Sequence, residues 1–117
     1  AGLIINILDL AAWEPWKNFT GHCVGKAALL AFTRQLALEL APEVRANGIA
    51  PGLVLPPPGF DEEQIARSAR ETLLARWGSP DDVAQALLFL VQADYITGEI
   101  ITVDGGKRFG AQKSAEA

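Results

Sequence analysis

The sequence predicts an α/β fold built on a parallel sheet, and three observations carry that prediction. Short apolar runs alternate with longer helical stretches, the pattern of βαβ units. The first run, Leu3-Ile4-Ile5-Asn6-Ile7, is rich in β-branched residues and shows no polar alternation, the habit of a strand covered on both faces. Glycine and proline punctuate the chain between these segments, at Pro15, Pro51-Gly52, Pro56-Pro57-Pro58-Gly59 and Gly105-Gly106.

Each element has its own local justification. After the strand at 3–7, residues Asp9 to Gly21 read as a loop broken by Pro15 and marked by Trp13, Trp16 and Phe19. A helix is expected from His22 to Leu40. Its apolar residues surround most of the cylinder, so it needs burial on two sides, one against the sheet and one against a partner. Pro42 stops it. Val44 to Ile49 reads as a second strand despite Gly48, and Ala50-Pro51-Gly52 ends it. Leu55 to Phe60 is a stiff loop. Asp61 to Arg76 reads as an amphipathic helix opened by Asp61, Glu62 and Glu63, with Ile65, Ala69 and Leu73 at four-residue spacing. Ser79 is an N-cap with Pro80 at the first helical position, and that helix runs through Val91. Ile100 to Val103 is the last strand. The stretch from Lys107 to Ala117 is small and polar and reads as a frayed tail.

Composition narrows the class. The 117 residues suit one domain, half of them apolar and 21% charged. The net charge is −4 and basic residues are scattered, so the footprint of a nucleic-acid binder is missing. No apolar run reaches the roughly 18 residues that span a bilayer. The single cysteine, Cys23, fits a reducing compartment and reads as packed rather than reactive. The expectation is a cytoplasmic protein without a leader peptide, engaging neither membrane nor nucleic acid. No metal site is read from the sequence.

The sheet of this reading is incomplete. The strand at 3–7 would be a bare edge, and no glycine-rich phosphate loop follows any strand. The expectation is that an N-terminal half lies outside these residues. The alternative is a short protein that completes its sheet with another chain.

Three polar residues stand out by register. His22 and Lys26 are four residues apart, one turn along the same helix face. Asp9 follows the first strand at its carboxyl end, where open α/β sheets bind ligands. The three side chains can converge. Alone, each has an ordinary reading: Asp9 a turn cap, His22 a helix-start residue, Lys26 a solvated charge. Trp13, Trp16 and Trp77 read as core or interface aromatics. Asn47 reads as a backbone hydrogen-bonding residue.

The spacing continues through Lys26-Ala27-Ala28-Leu29, Val44-Arg45-Ala46-Asn47-Gly48-Ile49-Ala50-Pro51-Gly52, Arg76-Trp77-Gly78-Ser79-Pro80-Asp81-Asp82-Val83-Ala84, Ile96-Thr97-Gly98 and Val103-Asp104-Gly105-Gly106. In this order the segments resemble the C-terminal half of the short-chain dehydrogenases/reductases. Asp9, at a position where most of that family has serine, and the Glu14-Pro15 region resemble its pteridine-reductase-like branch. The resemblance implies a doubly wound Rossmann fold, present here as its last three strands and their helices. It implies NADP or NAD as cofactor and reduction of a carbonyl or imine in a small-molecule substrate, pterin-like ones included. It assigns catalysis to Asp9, His22 and Lys26, with Lys26 also on the nicotinamide ribose. It places the cofactor against Ile7, Pro51, Gly52, Leu53 and Val54, and the substrate against Trp13, Phe19 and the loop beginning at Leu55. It implies a homodimer or homotetramer through the helix His22 to Leu40.

The family has tyrosine as proton donor where this chain has His22. The Lys26 ammonium, which makes a tyrosine a better acid, opposes a positive imidazole, whereas the Asp9 carboxylate favours one. Two readings follow: Asp9 and His22 form a proton-donating pair, or the protein is a catalytically silent homologue with a structural or regulatory role.

Overall fold

The computed structural model describes residues 1–110. Three parallel strands lie in the order β1 (Gly2–Ile7), β2 (Val44–Pro51) and β3 (Ile100–Val103). Helix α1 (Thr20–Leu40) connects β1 to β2. Helices α2 (Glu62–Ala69) and α3 (Pro80–Gln92) lie between β2 and β3. This is the parallel α/β architecture that the sequence predicts. β1 pairs with β2 from Gly2 opposite Val44 to Ile7 opposite Ile49, and β2 pairs with β3 from Gly48 opposite Ile100 to Pro51 opposite Val103.

The buried strand is the middle one. Residues Ala46 to Ala50 are buried, whereas the inner residues of β1 are only half-buried. This corrects the expectation that the first strand is covered on both faces: among the described residues β1 is an edge, paired on one side only. The core joins Leu8, Ala12, Leu30 and Ala50, with Leu29 and Ile100 against it. Gly48 fits inside β2 because a Cβ there would meet Ile100 Cδ1 at 2.7 Å and Leu8 Cδ1 at 2.8 Å. The strand's neighbours fill the space that a side chain would need.

Two polar residues tie β2 to the segment beyond α3. Asn47 is fully buried, donates through Nδ2 to the Ile96 carbonyl at 2.9 Å and accepts from the Glu99 amide at 3.0 Å. It is the backbone-bonding residue the sequence reading expects. The Arg45 guanidinium donates to the carbonyls of Leu90, Val91, Ala93 and Ile96, satisfying the open end of α3.

Several boundaries differ from expectation, each for a local reason. Helix α1 begins at Thr20 and so includes Gly21, and the Leu10–Ala12 stretch of the preceding loop is a 3₁₀ turn. Helix α2 ends at Ala69 rather than Arg76. There Thr72, 1% exposed, donates its hydroxyl to the Ala69 and Arg76 carbonyls and accepts from the Arg76 amide, so its side chain replaces helix hydrogen bonds. Leu73 therefore lies past the helix and packs over Gly106. The start of the supposed tail is folded: Lys107–Phe109 form a 3₁₀ turn. The Asp104 carboxylate holds it, accepting from the amides of Gly106 and Arg108 and from the Arg108 guanidinium at 2.8 Å. Residues 111–117 lie outside the described residues.

Helix α1 buries only Leu30, Thr33 and Ala37, while Val24, Phe32 and Leu38 are exposed. One of its sides meets the core; the other remains apolar and open. No helix among the described residues is long and apolar enough to cross a membrane.

Candidate functional site

The carboxyl ends of the three parallel strands meet at one edge of the sheet, the place where open α/β sheets hold ligands. β1 delivers Asp9 to that edge. Its backbone is extended, and its Oδ1 accepts from the Ala11 amide at 2.8 Å, capping the 3₁₀ turn Leu10–Ala12. Asp9 is thus the turn cap of its ordinary reading, but only one oxygen is used this way. The other, Oδ2, lies 2.7 Å from Nε2 of His22. An ionised carboxylate only accepts, so the imidazole nitrogen donates.

The first turn of α1 presents His22 and, one turn on, Lys26. Lys26 Nζ donates to the Ile7 carbonyl at 3.0 Å, fastening the helix to the end of β1. Asp9, His22 and Lys26 therefore meet around the end of one strand, as their register predicts. Trp16 lies flat on the imidazole, with ring centroids 5.6 Å apart and planes 19° apart, and Phe19 meets the ring edge-on at 6.4 Å. The Trp16 indole in turn donates to Glu14 at 3.1 Å. The stack on His22 is a feature the sequence reading missed, because a loop has no fixed period linking residues 16 and 22.

A cavity of about 160 Å³ lies beside the pair, walled by Asp9, Trp16, Pro51, Gly52, Leu53 and Lys107. Three of the residues expected to face a cofactor, Pro51, Gly52 and Leu53, border it. Val54 turns toward Gly78 instead. Gly52 is required by packing: a Cβ there would lie 2.7 Å from Asp104 Cβ and 3.0 Å from its Cα. Lys107 was hidden in the supposed tail; its Nζ also lies 3.6 Å from Glu71. Trp13 borders a separate cavity of about 320 Å³ with Leu10, Glu14, Thr102 and Arg108. Leu55 is 72% exposed and borders none of these cavities. The largest depression, about 500 Å³, runs from Leu53 past Leu73 to Asp104 and Arg108 and does not include the Asp9–His22 pair. Its charged groups are paired among themselves, Arg108 with Asp104 and Arg76 with Asp82, so the chemistry centres on the smaller cavity.

The fit to a nicotinamide dinucleotide is good at one end. The Lys26 ammonium carries three donors and uses one on Ile7, which leaves two for a ribose diol beside the 160 Å³ cavity. No glycine-rich turn among the described residues leads from a strand into a helix, so the pyrophosphate has no cradle here. No group of three or more His, Cys, Asp or Glu among the described residues could hold a metal ion. Cys23 is half-buried.

Comparison with known proteins agrees with this architecture. The family described as "Enoyl-(Acyl carrier protein) reductase" matches residues 1–108. "Carbonyl reductase family member 4" of Danio rerio is 43% identical over 111 residues, covering 90% of this chain and 44% of that protein. The aldohexose dehydrogenase of Thermoplasma acidophilum, solved in ligand-free form, superposes with a TM-score of 0.86 at 31% identity, covering 97% of this chain and 50% of that one. A 4-hydroxyisoleucine dehydrogenase complexed with NADH superposes with a TM-score of 0.80 at 28% identity, covering 92% and 47%. The chain spans less than half the length of the curated relatives it matches.

Proposed function

The chain belongs to the short-chain dehydrogenase/reductase family, and on that premise we propose that the protein is an NADP- or NAD-dependent oxidoreductase reducing a carbonyl or imine. The substrate class includes pterin-like heterocycles, a reading supported by Asp9 at the family's serine position. The 2.7 Å contact between Asp9 and His22, beside a Lys26 held on the end of β1, carries the proposal.

The cofactor supplies hydride chemistry when bound. The chain's own residues supply position and a proton. Lys26 binds the ribose. Pro51, Gly52, Leu53 and Val54, with Ile7, flank the nicotinamide, while Trp13, Phe19 and Leu55 flank the substrate. Asp9 and His22 hold between them the proton that the reduced substrate takes up. The phosphate loop that this chemistry requires is assigned to the part of the relatives' length that this chain does not span. The exposed apolar side of α1 is assigned to a homodimer or homotetramer. The setting proposed is the cytoplasm.

The test uses the full protein. NADPH and NADH are titrated by fluorescence, and oxidation is followed with ethyl acetoacetate and a dihydropterin as probes. Turnover that is lost in His22→Tyr supports histidine as part of the proton-donating pair. Cofactor binding without turnover, followed by a large gain in His22→Tyr, overturns the proposal in favour of a catalytically silent homologue.

A further inference from the structure

The two members of the pair do not face the cavity equally. Asp9 borders the 160 Å³ cavity and His22 does not. Trp16 borders the same cavity and lies flat on the imidazole, so the ring sits behind a wall made by Trp16 and Asp9. The ring nitrogen with the longer reach, Nε2, is already committed to Asp9. Nδ1, nearer the backbone, has no hydrogen-bond partner among the described residues.

We infer that Asp9 is the group that meets the ligand, and that His22 is a positioning residue acting through it. This rests on the oxidoreductase reading above and assigns the roles within the pair. The Asp9 carboxylate is fixed from two directions, by the Ala11 amide at Oδ1 and by His22 Nε2 at Oδ2, and each oxygen keeps a lone pair toward the cavity. In the reductive direction the substrate carbon gains a hydride from the reduced nicotinamide dinucleotide. The substrate oxygen or nitrogen gains a proton from the Asp9 carboxyl, and the proton on His22 Nε2 passes to Asp9 in its place. The ring ends neutral, with one proton fewer, and takes it back from solvent at Nδ1. Asp9 is thus the catalytic residue, and Trp16 and His22 position it.

Three variants of the full protein test this. Asp9→Asn keeps a capping oxygen for the Ala11 amide but cannot pass a proton. Asp9→Ser, which also keeps a capping oxygen, stands in if the first fails to fold. His22→Gln keeps an N–H that can hold the Asp9 carboxylate. The expected result is a kcat loss of about 10²–10⁴-fold in either Asp9 variant, the range for a lost general acid, against a loss of about tenfold or less in His22→Gln.

A second readout is independent of turnover. His22 is the one histidine in this chain, and its ring signals in a histidine-labelled nitrogen-15 spectrum are those missing from His22→Gln. The neutral ring should carry its proton on Nε2 in the parent. In Asp9→Asn, whose amide donates to Nε2, the proton should move to Nδ1. Ring signals unchanged by Asp9→Asn would overturn the inference. An active parent with a dead His22→Gln and an active Asp9→Asn would overturn it while leaving the oxidoreductase reading intact. A parent that binds NADPH yet turns over neither probe ends both.

Discussion

At the scale of single residues, chemistry and stability are carried by different groups on the same strands. Lys26 has one hydrogen bond to the Ile7 carbonyl and two donors left. If these hold a ribose, Lys26→Ala should weaken NADH or NADPH binding by about tenfold or more, since a hydrogen bond to a charged group contributes roughly 1.5–3 kcal/mol. Fluorescence titration of the full protein measures this, and an unchanged Kd would remove Lys26 from the cofactor site. Asn47 is the opposite case, fully buried with both ends of its amide engaged. Asn47→Ala leaves the Ile96 carbonyl and the Glu99 amide without partners and should cost on the order of 2–4 kcal/mol. A clear fall in the urea midpoint is expected, and a midpoint within error of the parent would refute that role. Register in the sequence was enough to pick out Asp9, His22 and Lys26, because a strand end and a four-residue helical step fix where such residues emerge. Trp16 was not legible in the same way: its stack on His22 depends on how a proline-broken loop folds back.

At the scale of elements, close approach decides more than propensity. The end of β2 and the turn after β3 meet at Gly52, where any side chain would press on the Asp104 backbone. Gly52→Ala should therefore destabilise by about 1–3 kcal/mol through overpacking and displace the wall of the 160 Å³ cavity. Thermal unfolding checks the first effect and NADPH titration the second; a variant as stable as the parent would show that the two segments can separate freely. Helix starts were well signalled, with both Asp61 and Ser79 making capping boxes. Helix ends were not. Four-residue spacing of Ile65, Ala69 and Leu73 reads as a continuous helix, yet Thr72 closes a turn on itself once it is buried. Burial of a hydroxyl is a tertiary event, and no local pattern announces it.

For the whole molecule, the open question of shape is the uncovered side of α1. Phe32 is 56% and Leu38 is 72% exposed on a helix with few charges to keep that side in water. If this side joins two copies, Leu38→Glu should shift the protein toward monomer in sedimentation, and a parent that is already monomeric would sink the assignment. The sequence by itself determined the alternation of strands and helices, the parallel sheet and the three polar residues at its carboxyl edge, because periodicity, caps and register are properties of neighbouring residues. Only the tertiary structure decided that β2 rather than β1 is the buried strand, that Lys107 belongs to a cavity wall, and that Asp9 rather than His22 faces that cavity. Those outcomes depend on which surfaces are left after distant segments pack, and that is set by the fold as a whole.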